Sequence, residues 1–249
     1  MSLPRFAPFV LAALLASSVA PRARAQLGGD GFLFHAPHVR LGLRGGYALA
    51  SANSDIFQFT TDNLTLNKRD FSGVNVGGSA GFAITDRVEL SVDVGYSRAA
   101  KGSEFRHLID NNDLPIEQRT TFVRVPYTAN VKLYLTSPGE RIGTTAWIPA
   151  KVSPWIGVGG GVMHYRFHQD GDFVDFQTNK VISSVYESSS STAMMQGLAG
   201  ADLTLTPWLA LTADARYLWA NGEPGPDFSG FEKIDLSGVS ASVGLSFRL

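Results

Sequence analysis

Residues 87–98 read RVELSVDVGYSR, and this stretch decides the fold. Every second position carries an apolar residue: Val88, Leu90, Val92, Val94 and Tyr96. The positions between them carry charged or small residues. Because successive side chains of a strand point to opposite faces, this period of two predicts a strand with one apolar and one polar face. A helix, with its period of 3.6, would not separate the two sets.

Seven further stretches repeat the alternation, so that the sequence predicts eight strands of about ten residues or more. The stretches are Val39–Leu49, Phe71–Ile84, Thr121–Leu135, Trp155–Phe167, Met195–Leu205, Trp208–Trp219 and Val239–Leu249. In the fifth strand the parity is blurred at His164, Tyr165 and Arg166, where we expect a bulge.

The connections between these strands alternate between long and short. Four connections are long and rich in Asp, Asn, Ser and Gly: Ala50–Asp70, Ala99–Glu117, His168–Ser190 and Ala220–Ile234. Two connections are only dipeptides: Thr85–Asp86 and Thr206–Pro207. Thr136–Ser153 is long where a short turn is expected, and we expect part of it to extend its neighbouring strands. The pattern predicts an all-β fold, an eight-stranded antiparallel transmembrane β-barrel with short periplasmic turns and long extracellular loops.

The N-terminus has the features of an export signal. Arg5 precedes the mostly apolar run Phe9–Ala20, and Ala23-Arg24-Ala25 offers a small-x-small cleavage site. The run is too short to span a bilayer as a helix. We therefore expect a signal peptide at 1–25, a periplasmic lead-in at 26–38 and the barrel domain at 39–249. Cleavage would remove three arginines and make the formal charge of −1 more negative by three.

Composition excludes several classes of protein. The chain has 249 residues, 44% of them hydrophobic and 17% charged, so it can bury a core and is not expected to be disordered. A net charge of −1 gives no basic field for nucleic acid. Without cysteine there is no disulfide, thiolate metal site or thiol nucleophile. We expect no nucleic-acid partner and no cofactor.

Alternation alone leaves open whether the apolar faces point to lipid or, as in a soluble lipocalin-type barrel, to the interior. Two features favour lipid. The opposite faces mix Gly and Ser with charges of both signs, which suits a narrow lumen better than a soluble coat. Aromatic residues also lie near the ends of the apolar rows, as in interfacial girdles: Tyr47, Tyr96, Tyr127, Tyr217, Trp219 and Phe247.

The C-terminal residues Ser242–Leu249, SVGLSFRL, resemble the terminal signal of bacterial outer-membrane barrels, with Leu249 in place of the usual Phe. Arg124–Leu135, RVPYTANVKLYL, is similar to a proline-bearing strand of such domains. Over residues 39–249 the chain resembles the eight-stranded outer-membrane barrel proteins, such as the OmpA membrane domain, OmpX and OmpW. The resemblance implies the cell outer membrane, contact with outer-membrane lipid and lipopolysaccharide, recognition of the C-terminal strand by the barrel-assembly machinery, and a monomer.

Ten charged residues fall on the predicted lumen faces: Arg40, Arg44, Glu89, Asp93, Arg124, Lys132, Asp202, Asp214, Arg216 and Arg248. They could line a polar pore, or they could pair across a narrow interior so that few charges stay uncompensated. We favour pairing, because eight strands enclose a lumen that side chains can fill.

Other motifs give weaker indications of chemistry. Among the five histidines, His164 and His168 could share a face but supply only two metal ligands. A lipid-modifying enzyme would need a serine near His164, and none lies two positions away. Ser188–Ser191 reads as solvated loop, and the glycines of Gly157–Gly161 as lumen-facing strand rather than a phosphate loop. Aromatic residues in the long connections could form a partner surface or extend the strands: Phe57, Phe59, Phe105, Phe173, Phe176, Phe228 and Phe231.

The sequence thus predicts a non-enzymatic barrel with a structural or surface-interaction role. The alternatives are a narrow porin-like or OmpW-like passive channel for small molecules and, third, a lipid-modifying barrel enzyme.

Overall fold

The computed structural model describes residues 28–29, 31–110, 113–143, 145–175 and 180–249. The proposed signal peptide lies outside the described residues. Eight long antiparallel strands dominate: β1 Val39–Ala50, β2 Gly73–Ala83, β3 Val88–Ile109, β4 Pro115–Tyr134, β5 Val152–Asp175, β6 Lys180–Thr206, β7 Leu209–Gly222 and β8 Gly238–Arg248. One helix, α1 Asp55–Asn63, and two 3₁₀ turns, Lys68–Phe71 and Pro226–Phe228, lie in the connections.

The eight strands form a closed ring. Each strand pairs with the next along the chain, β8 pairs with both β1 and β7, and β6 pairs with β7 as well as with β5. The fold predicted from the period-two pattern is therefore confirmed. Closure leaves the membrane-crossing part without a free sheet edge, as hydrocarbon requires.

The apolar faces point outward and form an apolar belt around the ring. Each strand contributes exposed side chains, among them Leu43, Val76, Val92, Val131, Val158, Met195, Trp219 and Val243. Tyr47, Tyr96, Tyr127, Tyr217 and Trp219 are exposed on the same face near the end that carries the long connections. Phe247 lies at the opposite end and stacks on Trp208 at 6.1 Å between ring centroids.

Strands β3 to β6 are longer than predicted. β3 continues to Ile109, β4 starts at Pro115, and β5 and β6 pair from Val152↔Leu203 up to Asp175↔Lys180. The expected loops Ala99–Glu117 and His168–Ser190 are thus mostly paired hairpins that project beyond the belt. Among the described residues, the first and last long connections are the irregular ones, because they contain α1 and the two 3₁₀ turns.

The expected bulge in the fifth strand is absent. The β5 register with β4 and β6 runs without a shift through His164, Tyr165 and Arg166. Tyr165 is buried on the inward face, whereas His164 and Arg166 are exposed outward. The alternation is unclear in the sequence because, from this height upward, the outward residues of the strand are polar and the inward ones are apolar. The strand itself is regular.

A small second sheet lies under the ring at the end with the short turns. Gly139–Ile142 and Ala146–Pro149 form a hairpin, and Phe32–Leu33 and Gly28–Gly29 add to its edge, with Leu33 opposite Trp147. The long connection Thr136–Ser153 is therefore a separate hairpin, and it holds part of the 26–38 segment against the barrel.

No helix in the described part of the chain is long and apolar enough to cross a membrane.

Candidate functional site

The structure places all ten of the predicted lumen charges on the inward faces of six strands. Their side chains are buried or nearly so, with 13% and 12% exposure for the side chains of Arg44 and Lys132. They form two clusters, stacked along the axis of the ring, and two isolated cations.

The lower cluster lies near the end with the short turns. Arg40 binds Glu89 (Nε–Oε2 3.2 Å) and Asp202 (Nη1–Oδ2 3.0 Å), and Lys132 binds the other oxygen of Glu89 at 3.0 Å. The Tyr134 hydroxyl and the Thr212 hydroxyl donate to Asp202 at 3.0 and 2.8 Å. Five strands are tied across the lumen by these contacts.

The middle cluster centres on Asp93. Arg44 and Arg216 approach its Oδ1 at 2.7 and 3.0 Å, and the Asn130 amide donates to Oδ2 at 2.6 Å. Arg216 also binds Asp214 at 2.6 Å. With both oxygens occupied by charged or amide donors, Asp93 is fully satisfied in a dry interior, where each such bond is stronger than in water.

Two cations have no carboxylate contact among the described residues, and they lie at opposite ends of the lumen. Arg124 donates to the Leu236 and Ser237 carbonyls at 3.1 and 3.4 Å and lies over the Phe122 ring. Arg248 is fully buried, donates to the Thr204 hydroxyl at 3.0 Å and lies 5.8 Å from the centre of the Trp147 ring. Trp147 belongs to the hairpin under the ring, so Arg248 and this hairpin cover part of that end.

Only small spaces remain above and between the two clusters, whereas a cavity of about 280 Å³ lies below the lower cluster, where Arg40, Glu89 and Trp147 line it. A cavity of about 50 Å³ lies above the middle cluster, and one of about 40 Å³ lies between the two clusters. Inward glycines create the room that the clusters occupy: a Cβ on Gly81 would lie 2.5 Å from Glu89 Oε1, and one on Gly159 would lie 2.0 Å from Asn130 Oδ1. In the described residues, therefore, the lumen is filled by side chains and offers no wide water path.

Above the belt the interior is apolar. We call this region the outer core; it comprises Ala52, Ile56, Phe57, Leu64, Leu66, Phe71, Phe122, Met163, Tyr165, Phe167, Met194, Ala220, Phe228, Ile234 and Leu236. Helix α1 inserts Ile56 and Phe57 into it, and the Phe57 ring makes edge contacts with Phe71, Phe122 and Phe167. The first connection thus plugs the outer end of the ring.

The loop aromatics, predicted either to form a partner surface or to extend the strands, divide into two groups. Phe57 and Phe228 are buried in the outer core. Phe59 is exposed, and Phe105, Phe173 and Phe231 are half-buried. Phe176 lies outside the described residues. Ser188, expected in a solvated loop, is a buried strand residue that accepts a bond from the Gly225 amide at 2.7 Å.

A larger space, which we call the mouth cavity, opens beside the outer core. It has a volume of about 300 Å³ and lies between α1, the top of the β5–β6 hairpin and the last connection. Its lining includes Phe59, Phe173, Tyr186, Phe228 and Phe231, with Asp227 among its few charged groups. On the far side of the last connection, Lys233 binds Glu223 at 2.8 Å, and this hydrogen bond raises the pKa of Lys233.

The structure also shows a contact that the sequence could not predict. His164 Nδ1 lies 3.1 Å from the Ser191 hydroxyl on the neighbouring strand, because the two residues are register partners on the outward face. A serine nucleophile that is activated by a histidine for acyl transfer also needs an acid that orients the histidine. The nearest acid in register, Glu187, is instead bound to Arg166 and His168. In the part of the chain that the structure describes, no group of three metal ligands forms around any histidine.

A closed eight-stranded ring with an outward apolar belt and an inward polar face defines a transmembrane β-barrel. A family model described as the outer membrane protein beta-barrel domain matches residues 9–247, and the chain belongs to this family. The protein is therefore located in the cell outer membrane, with the short turns on the periplasmic side and the projecting hairpins outside.

Several solved structures are similar to this chain at low identity. Neisserial surface protein A is 14% identical, with 86% of this chain and 99% of that chain covered and a TM-score of 0.47. OprG from Pseudomonas aeruginosa is 14% identical, with 86% and 97% covered and a TM-score of 0.47. Escherichia coli outer membrane protein W is 12% identical, with 86% and 100% covered and a TM-score of 0.41. No curated protein matches significantly.

Proposed function

We propose that this protein is a non-conducting barrel that holds an interaction surface outside the cell. The observation that carries the proposal is the filling of the lumen at successive heights. Trp147 and Arg248 cover part of the periplasmic end, two ion-pair clusters cross the middle, and the outer core blocks the top. The rigid frame leaves the outer hairpins and α1 as the part available for contacts, which is where binding residues are commonly found.

The alternative of a narrow passive channel requires a continuous polar path. The lumen spaces of about 50 and 40 Å³ are separated by Arg44, which lines both. A solute would have to displace a buried cation from Asp93, and separating such a pair without replacing the partner costs about 3–5 kcal/mol.

Planar-bilayer conductance tests the proposal. The refolded full chain should give no reproducible single-channel steps, and Arg44→Ala and the exposed control Arg98→Ala should behave alike. Steps whose size changes with Arg44→Ala and not with Arg98→Ala would assign current to the lumen and overturn the proposal. If neither substitution alters the size of the current steps, the current does not pass through the lumen, and the proposal of a closed lumen stands.

We also propose that outward arginines just above the belt contact lipopolysaccharide phosphates. Arg98 and Arg166 share one row of the sheet, separated by Val123, and lie immediately above the level of Tyr96. Guanidinium groups bind phosphate through paired charge-assisted hydrogen bonds. Lipopolysaccharide that co-purifies with the protein should decrease in Arg98→Ala/Arg166→Ala and remain unchanged in Lys68→Ala; equal retention in all three would contradict the contact.

For biogenesis we propose a monomer delivered through its C-terminal strand. β8 presents the terminal pattern around Gly244 and Phe247, and its last residues close the ring against β1. Outer-membrane levels in cells should fall when Phe247 is replaced by Ser, whereas Val243→Ala should have little effect. Cross-linking of the purified chain tests the monomer, and a ladder of species would contradict it.

A further inference from the structure

The mouth cavity combines an aromatic lining with an acidic surrounding, and we propose that it binds a small organic cation with an aromatic or apolar body, such as a ring-bearing amine. This inference rests on the interaction role proposed above and gives that role a ligand class. It concerns the outer end alone and does not depend on whether the lumen conducts.

Five aromatic rings follow one another around the cavity. The ring of Phe173 lies 4.6 Å from that of Tyr186, Tyr186 lies 6.3 Å from Phe228, Phe228 lies 6.3 Å from Phe231, and Phe231 lies 5.6 Å from Phe59. Each contact is edge-on or tilted, so the planes of neighbouring rings are inclined to one another around the cavity. Ring faces are the electron-rich side of an aromatic group, and a cation within about 6 Å of a ring centre is attracted to them.

These rings come from three separate parts of the chain. Phe173 and Tyr186 face inward from β5 and β6, Phe59 projects from α1, and Phe228 and Phe231 belong to the last connection. The outer core already buries Phe57 and Phe167 beneath them. Phe228 also belongs to the outer core, whereas Phe59 is exposed and Phe173, Tyr186 and Phe231 are partly buried, and the space between these rings is the size of a small ring-bearing molecule.

Charge at the outer end favours a cation over an anion. Residues 51–72, 99–121, 168–190 and 220–237 contain fifteen Asp and Glu against seven Lys and Arg. No Lys or Arg lines the mouth cavity among the described residues, whereas Asp175 and Asp227 do. Asp175 stands opposite Lys180 in the hairpin register, and Asp227 accepts a hydrogen bond from the Glu187 amide at 2.9 Å. A negative field of this kind concentrates cations and repels anions.

Three probes of similar size test the ligand class on the refolded full chain in detergent: benzyltrimethylammonium, the neutral benzyl alcohol and the anion benzoate. Titrations followed by ligand-observed saturation-transfer NMR measure the dissociation constants. We expect saturable binding of the cation at least tenfold tighter than that of benzyl alcohol, weakened by added salt, and none of benzoate.

Matched variants locate the site. Tyr186→Ala should weaken cation binding at least tenfold and Asp227→Asn about threefold, whereas Tyr96→Ala on the belt and Asp62→Asn on α1 should leave it unchanged. Unheated gel mobility verifies that each barrel is folded, and Asp227→Asn removes charge without removing packing. Equal affinity for benzyl alcohol and the cation, no saturation by any probe, or control variants that weaken cation binding as much as Tyr186→Ala and Asp227→Asn do, would overturn the inference. None of these outcomes affects the conductance experiment, which tests the proposed closed lumen separately.

Discussion

The membrane part and the outer part of this barrel share four strands but have opposite chemistry. Within the belt, β3 shows Val92 outward and Asp93 inward; above it, β4 and β5 show Arg119 and His168 outward and Phe122 and Phe167 inward. The backbone register is continuous between the two parts in β5. The solvent on the outside therefore decides which face is apolar: lipid below and water above. One strand can serve as a membrane strand and as a soluble-type strand in succession.

The largest expected effect on stability comes from removing a charge from the membrane part. Asp93→Ala leaves Arg44 buried without its carboxylate and Arg216 with Asp214 alone, and should lower the free energy of unfolding by about 3–5 kcal/mol. The control is Asp86→Ala, whose ion pair with Arg141 is exposed and should contribute at most about 1 kcal/mol. Urea titration in lipid vesicles measures both. Similar losses for the two variants would mean that the lumen is solvated and not dry.

The corresponding test in the outer part removes an aromatic ring. Phe57→Ala opens the outer core and should cost about 3–4 kcal/mol. The same change at Phe59, on the exposed side of α1, should cost about 1 kcal/mol or less. Hydrogen exchange should show that Phe57→Ala loosens 51–72 and leaves the belt protected. Uniform loss of protection would indicate that the two parts unfold as one unit.

Charge insertion compares the outward faces directly. Val92 is 61% exposed in the belt, and Val92→Arg should cost about 2–4 kcal/mol in a bilayer. Ala100 lies on the same face of the same strand above the belt, and Ala100→Arg should change stability by less than about 0.5 kcal/mol. Unfolding in vesicles gives the two values. A substantial penalty at Ala100 would place the lipid boundary higher than the girdle tyrosines do.

The smallest expected effect is on the surface of the outer part. Lys233 and Glu223 form an exposed pair, and Lys233→Ala should leave the unfolding midpoint unchanged within error, because water and salt screen such contacts. A clear loss of stability would show that this connection is more tightly packed than its exposure indicates.

The membrane part could be predicted from sequence because lipid demands strict alternation. Every strand with a belt face, such as Val88–Tyr96, shows the pattern without ambiguity. The same alternation predicts the ten lumen positions. It does not predict the partners of Asp93, because Arg44 and Arg216 come from strands that meet only when the ring closes. Nothing local indicates which distant strands will face one another across the lumen.

The outer part was harder to predict for a physical reason. Its outward residues are polar and rich in Asp, Ser and Gly, which is the composition of loops, and its inward Phe residues lie far apart in the chain. Tyr165 and Phe167 keep the parity of β5, but the exchange of chemistry at His164 made the parity look broken. The segment around Phe57 is a helix that fills the outer end because Phe57 packs against the other residues of the outer core. Tertiary contacts of this kind leave no periodic pattern in the sequence.

The position of Arg248 ties the periplasmic cover of the lumen to one seam of the cylinder. The residue lies on the strand that pairs with β1, and its guanidinium meets Trp147 of the hairpin below. Because this contact needs β8 in register against β1, a substitution that weakens the seam should also loosen the hairpin beneath the ring.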